Sequence, residues 1–430
     1  MLEAKRGAIL RKEFHIIKKD EGAESLYSAH LEKHQKKIFL DMQACFLDIQ
    51  LTSCGVPSIK PGEKAMKITD VQAILISIPL KKPTSMSNKT VTAREYVVTR
   101  VRTDEGITGS AYTLGGSVVL TAVNETLKPL VMGADPFDTE RLWDKMFRAT
   151  LMLGRKGAVI RGISTVDIAL WDIKGRALNK PLHKILGAYT DKVPLYSSGG
   201  YYRQGESFQQ MADEMAGIVE RGFPRIKIKV GALSFKEEVE RLKILRRTVG
   251  EEVEIMVDAN CAWNDLTYAS RIMRAFEECH ITWFEEPVLP DNFRGSAELA
   301  AMFETPIATG EQECTRWGFR DLVEHKAADI LQPDVAVVGG VSEWMKVAAL
   351  ASAYDLPVSS HYFHDVHVHL MASIPNALVA EYFPLDLDIM VFDAVVKEPL
   401  KPEKGYLPVP QRPGLGMDLD EEKLKRYRIG

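Results

Sequence analysis

Hydrophobic and polar positions follow different periods in successive stretches of the chain. Ile68–Pro79 and Glu95–Arg102 alternate between the two kinds, the pattern of antiparallel strands with one buried face. Asp104-Glu105-Gly106 places a turn between Thr103 and Ile107-Thr108-Gly109. The period then becomes helical, from about Val118 to Met132, Thr139 to Leu151 and Arg161 to Leu178. In the last of these, Ile163, Val166, Ala169, Leu170 and Ile173 mark one apolar face. Residues 66–190 are therefore expected to form a small α+β domain.

Beyond it, short apolar strand candidates begin near Val193, Arg225, Glu254, Ile281, Pro306, Ile330, Pro357 and Leu378, at intervals of 21 to 32 residues. Helical patterns fill the gaps, most clearly Phe208–Arg221, Phe235–Val249, Leu266–Cys279, Trp317–His325 and Val341–Ala353. This alternation predicts a parallel (β/α)8 barrel of the TIM type over residues 191–390. Residues 391–430, rich in Pro and charge, form a tail. Residues 1–65 are rich in Lys, Glu and His and end in the linker-like Pro57-Ser58-Ile59-Lys60-Pro61-Gly62. They read as a flexible extension or an over-called start, with helix-forming composition over Ala23–Lys37 and Met66 as the expected functional beginning.

Composition narrows the classes. The 430 residues are 46% hydrophobic and 27% charged, enough for a large core and unlike disordered or collagen-like chains. Lys and Arg number 55 against 59 Asp and Glu, a net charge of −4 with no dense basic run, so nucleic acid is not an expected partner. No stretch approaches the roughly 18 apolar residues of a membrane span, and the N-terminal stretch lacks a secretory pattern. Cys45, Cys54, Cys261, Cys279 and Cys314 are odd in number and show no C-x-x-C pairing, which predicts reduced thiols in a cytoplasmic protein.

Candidate chemistry lies where the apolar barrel strands end. The second ends in Lys227-Ile228-Lys229, the third in Asp258-Ala259-Asn260, the fourth in Glu285-Glu286-Pro287 and the fifth in Gly310-Glu311. The sixth carries Gln332-Pro333-Asp334, the seventh Ser360-His361 and the eighth Ala380-Glu381. Barrel enzymes keep their active sites at this carboxyl end. One such residue is most often a helix cap or a solvated loop residue, but ionisable groups on seven successive strands would repel at one mouth unless a cation neutralised them. Side chains two apart share a face, so Lys227 and Lys229 both enter the mouth while Ile226 and Ile228 face the helices. Asp258, Glu285 and Glu311 form a hard oxygen set suited to Mg²⁺ or Mn²⁺. Glu286 points to the other side of its strand, where a salt bridge is expected. Lys227 and Lys229 face His361 across the metal, and Asp334 holds the imidazole's other nitrogen. Lys227, a like charge, is expected to lower the pKa of Lys229. Two bases flanking a metal suit removal of a proton next to a carboxylate, and Glu381 is placed to share a proton with the carboxylate oxygen.

These motifs, with the helix from Ile163 to Arg176 and its continuation to Gly187, resemble the mandelate racemase group of the enolase superfamily. The resemblance runs from about Met66 to the C-terminus. It implies Lys229 as one base and the His361–Asp334 dyad as the other, with Asp258, Glu285 and Glu311 as Mg²⁺ ligands. Lys227, Asn260 and Glu381 would contact substrate, and the α+β domain with the tail would cap the barrel mouth and choose the substrate. The muconate-lactonising branch would need a Lys on the sixth strand, where Asp334 stands.

Within that group the expected reaction is dehydration of an acid sugar, an aldonate or aldarate, to a 2-keto-3-deoxy acid. Racemisation, epimerisation or cycloisomerisation of a 2-hydroxy acid is the alternative, since it begins with the same proton abstraction. The polar segment Lys81–Lys89 is expected to overhang the site, and Ser197, Ser198, Tyr201, Tyr202 and Arg203 are candidate hydroxyl contacts. His364, His367 and His369 fall in or near the helix after the seventh strand, where packing or solvent exposure is expected rather than a metal. Gly115-Gly116 and Gly339-Gly340 lack the strand–GxGxxG–helix context of a nucleotide fold. A homo-oligomer is expected. A catalytically inactive barrel serving as a binding protein would predict a broken ligand set, and the set is intact.

Overall fold

The computed structural model describes residues 65–430 except residue 88. Apart from residue 65, the expected extension, with its helix-forming stretch and Cys45 and Cys54, lies outside the described residues.

Strands β1 (Ile68–Ser85), β2 (Thr90–Thr103) and β3 (Thr108–Leu114) form an antiparallel sheet in that order. β1 and β2 run further than their alternation. Thr84 and Ser85 pair with Val91 and Thr90 beyond a register break after Pro79, where Lys81-Lys82-Pro83 erases the period. The helix Ala158–Ala177 also departs from its expected single apolar stripe, because it is covered on two sides. Toward the sheet, Gly109 of β3 comes so close that a Cβ would lie 2.0 Å from the Ala169 carbonyl oxygen. On another side, Asp167 accepts hydrogen bonds from Ser342 N at 2.9 Å and Ser342 Oγ at 2.7 Å. It thereby satisfies a donor at the start of the barrel helix Val341–Ala353, a cap supplied from a distant segment.

Strands β4 (Lys192–Gly199), β5 (Arg225–Lys229), β6 (Glu254–Asp258), β7 (Ile281–Glu285), β8 (Ile307–Thr309) and β9 (Ile330–Leu331) are parallel neighbours, and β10 (Ala380–Tyr382) returns to β4. The strand expected near Pro357 does not form. Val358 alone bridges Leu331 on one side and Ala377 on the other, and these bridges close the ring. Proline has no N–H to give a ladder, which leaves little of this segment to pair. Tyr196, Met256, Trp283, Ala308, Ile330 and Val379 form a separate buried cluster that plugs the barrel below the charged residues. Ile226 and Ile228 pack outward against the helices, as their alternation with the lysines requires. At the end of the chain, Ile429 N donates to Leu75 O of β1 at 2.9 Å. Among the described residues no helix is long and apolar enough to cross a membrane.

Candidate active site

Strand register brings the polar ends together. Lys229 pairs with Asp258, Asp258 with Glu285 and Glu285 with Ala308, so the first three stand side by side around the barrel. Glu311 follows after Gly310, whose φ of +125° and a virtual Cβ 2.8 Å from the Phe319 ring both exclude a larger residue there. Asp258, Glu285 and Glu311 are buried, and each offers an oxygen within 4.8 Å of the others. Glu311 Oε2 is buried without a hydrogen bond, 3.4 Å from His361 Nε2. A buried cluster of carboxylates without thiol or imidazole ligands fits a hard divalent cation.

Around this set the partners are specific. Asn260 N donates to Asp258 Oδ1 at 2.8 Å. Glu285 Oε2 accepts from Trp283 Nε1 at 3.0 Å and from Gln332 Nε2 at 2.8 Å. Lys227, fully buried, contacts Glu285, lies 2.8 Å from Glu381 Oε1 and 3.7 Å from Asp258 Oδ2. Lys229 contacts Asp258. Opposite, His361 Nδ1 is 2.7 Å from Asp334 Oδ2. Asp334 lies beyond the end of β9 and caps the short helix Val335–Val338, its Oδ1 accepting from Ala336 N at 2.7 Å. The cap and the imidazole contact use different oxygens, so Asp334 does both.

The electrostatics correct two expectations. Burial, the largest influence, and the like charge of Lys227 push Lys229 down, but Asp258 first, with Tyr201 and Glu311, together outweigh them, so its pKa is raised. Glu381 is opposed by burial, yet Lys227, His361 and Lys229 hold it well below the usual carboxylate range. It is an ionised acceptor, with Oε2 bound by Tyr362 N at 2.8 Å, and has no proton to share at neutral pH. Burial lowers His361 but Glu311, Asp334 and Glu381 raise it to about 10. Burial, with Asp258, Glu311 and Glu381 adding repulsion, raises Glu285 despite Lys227. The carboxylates exceed what the two ammonium groups neutralise.

Other expectations sort by contact. Glu286 makes no salt bridge among the described residues. It is buried at φ +41°, bound by Gln312 Nε2 at 3.0 Å and Cys261 Sγ at 3.4 Å, and burial, then Glu311 and Asp258, push its pKa well up. Tyr201 is buried with its ring 5.3 Å from Lys229 Nζ, while Ser197 and Ser198 carry buried hydroxyls without partners. Tyr202 and Arg203 are engaged elsewhere, Tyr202 with Glu238 and Arg203 with Glu206, Glu214 and Leu387 O. The Lys81–Lys89 segment does reach the mouth: Ser85 N donates to Tyr202 O at 2.8 Å, and Ser87 Oγ to Asn260 O at 3.3 Å. His367 and His369 are buried and bonded to backbone, and His364 lies 3.4 Å from Asp393. Trp283 and Gln332, which orient Glu285, carried no assignment from sequence. Trp283 reads as core, and Gln332 was visible only as one more polar strand end.

Comparison with known proteins agrees with this architecture. Residues 68–187 match the mandelate racemase/muconate lactonizing enzyme N-terminal domain, and residues 210–423 the enolase C-terminal domain-like family. The chain belongs to the mandelate racemase/muconate lactonizing enzyme family of the enolase superfamily. It is 38% identical over 342 residues to an arabinonate dehydratase of Saccharolobus solfataricus, covering 78% of this chain and 91% of that protein. It is 36% identical to a 3,6-anhydro-alpha-L-galactonate cycloisomerase of Streptomyces coelicolor, covering 84% of this chain and 100% of that protein. Among solved structures, L-talarate/galactarate dehydratase from Salmonella typhimurium LT2, liganded with Mg and L-lyxarohydroxamate, superposes with a TM-score of 0.78 at 31% identity, covering 86% of this chain and 94% of that one.

Proposed function

We propose that the chain catalyses Mg²⁺-dependent removal of the proton next to a substrate carboxylate, followed by loss of water from an acid sugar, giving a 2-keto-3-deoxy acid. The observation that carries this reading is the placement of Lys229 on one side of the carboxylate triad and the His361–Asp334 pair on the other. When held by Asp258, Glu285 and Glu311, Mg²⁺ (or Mn²⁺) supplies positive charge for the substrate carboxylate, for the second negative charge it gains on deprotonation, and against the grip of Asp258 on the Lys229 proton.

The protein's own groups then divide the proton work. Lys229 takes the proton from C2. His361, its imidazolium supported by the Asp334 carboxylate at 2.7 Å, gives its proton to the C3 hydroxyl as the C3–O bond breaks. Water leaves and the resulting enol becomes the keto acid. Asp334 fixes the imidazole's orientation and keeps it charged. Lys227 and Asn260, beside the triad, would contact the substrate carboxylate, with Glu381 an ionised acceptor on the same wall. The similarity to an arabinonate dehydratase supports an acid-sugar substrate, and the similarity to a cycloisomerase supports a second reading in which the proton returns to carbon or a ring opens.

The deciding experiment supplies aldonates and aldarates with Mg²⁺ and follows keto-acid formation and α-deuterium uptake in D₂O. Keto acid from one of them is the expected result. Deuterium uptake with isomerised substrate and no keto acid would replace the dehydratase by an isomerase. No exchange with any acid, and no effect of Mg²⁺ on thermal stability, would favour a binding protein.

A further inference from the structure

Arg94 of β2 is a buried guanidinium, 6% exposed, that no described carboxylate pairs with. Its Nε donates to Ile389 O at 2.8 Å, while Nη2 is enclosed without any hydrogen-bond partner. A buried charge of this kind is costly unless an anion meets it, and native proteins seldom leave one alone.

Its place in the fold says which anion. Alternation puts Arg94 on the same face of β2 as Tyr96, whose hydroxyl lies 3.2 Å from that of Tyr362, the residue after His361. The far end of the same hairpin rests on Tyr202 after β4, through Ser85, and on Asn260 after β6, across the ring from Tyr362, through Ser87. The ribbon therefore crosses the barrel mouth, with Arg94 on the crossing. The buried Tyr201 phenol reports the same neighbourhood: burial pushes it up, and Lys229 and then Arg94 pull it down.

We propose that Arg94 binds the distal carboxylate of the substrate, and that the acid sugar is an aldarate rather than an aldonate. This rests on the acid-sugar reading above. One carboxylate of the diacid belongs with the metal triad; the other reaches the guanidinium fork, which suits a carboxylate bidentately. A monoacid would present a neutral hydroxyl there and leave the buried charge uncompensated.

The test gives the full-length protein, with Mg²⁺, matched pairs of one configuration: galactarate and galactonate, glucarate and gluconate, arabinarate and arabinonate. The wild type should prefer an aldarate in kcat/KM by roughly tenfold or more. Arg94→Gln should lose roughly 10- to 100-fold on that aldarate with little change on the aldonate, and Arg94→Lys should recover part of the loss. Preference for an aldonate, or an equal loss on both members of a pair, would overturn the assignment while leaving the acid-sugar reading in place. Absence of both keto-acid formation and α-proton exchange with every acid would overturn both. Should Arg94→Gln fail to fold, the wild-type preference and the lysine variant still decide.

Discussion

Asp334 shows how one carboxylate can be committed in two directions, holding a helix N-terminus with one oxygen and His361 with the other. Replacing it by Asn removes the negative charge that, with Glu311 and Glu381, raises His361 to about 10. The imidazolium loses support, so its pKa falls, and the limb of kcat/KM that needs protonated His361 should move to lower pH by about one unit or more. A limb that stays in place would remove Asp334 from this role. Lys229→Ala and His361→Ala should each lower turnover by roughly 10²- to 10⁴-fold. Under the proposed division, His361→Ala keeps α-deuterium exchange and Lys229→Ala loses it; the reverse pattern would assign the first step to His361. At this scale the charged strand ends were plain from sequence. Arg94 and Trp283 were not, because an arginine in an alternating strand and a tryptophan in an apolar run look ordinary until their neighbours are known.

Among elements, the helix His364–Met371 carries histidines that a sequence motif search would offer to a metal. Their contacts instead tie the barrel wall to its surroundings: His367 accepts from Val335 N, beside Asp334, and His369 reaches Leu415 O. Burial lowers both to about 4 from the ordinary 6.5, so both are neutral in the fold. The unfolded chain takes up protons below about pH 6.5, which means their contribution is full above that pH and is lost as pH falls toward 4. Thermal denaturation across this window should show a falling Tm, with each histidine worth on the order of 3 kcal/mol. His369→Gln should make the decline shallower. An unchanged slope would mean that other groups govern acid stability. The barrel period foretold twelve of the strand and helix starts to within a residue or two, yet Val358 is a pair of bridges where a strand was expected, since pairing depends on its neighbours.

For the whole molecule, the concentration of carboxylates at one mouth couples stability to cation. Mg²⁺ at about 100 times its dissociation constant should stabilise the fold by about 2.7 kcal/mol, seen as a rise in Tm. Asp258→Asn should weaken that rise, and chelation by EDTA should abolish α-proton exchange in the wild type. A Tm indifferent to Mg²⁺ in the wild type would count against the triad as a cation site. The net charge of −4 conceals this concentration, because an average over 430 residues mixes surface charge with the buried cluster.

Sequence by itself determined the alternation of strands and helices, the strand ends that carry charge, and a donor set too hard for zinc. These follow from local period and side-chain chemistry, which survive without knowledge of contacts. Tertiary structure decided what sits beside what: the register that aligns Lys229, Asp258 and Glu285, the single residue that closes the ring, and the hairpin that carries Arg94 across the mouth. Those are relations between residues far apart in the chain. They arise when curvature and packing bring the strands round, and no local pattern encodes them.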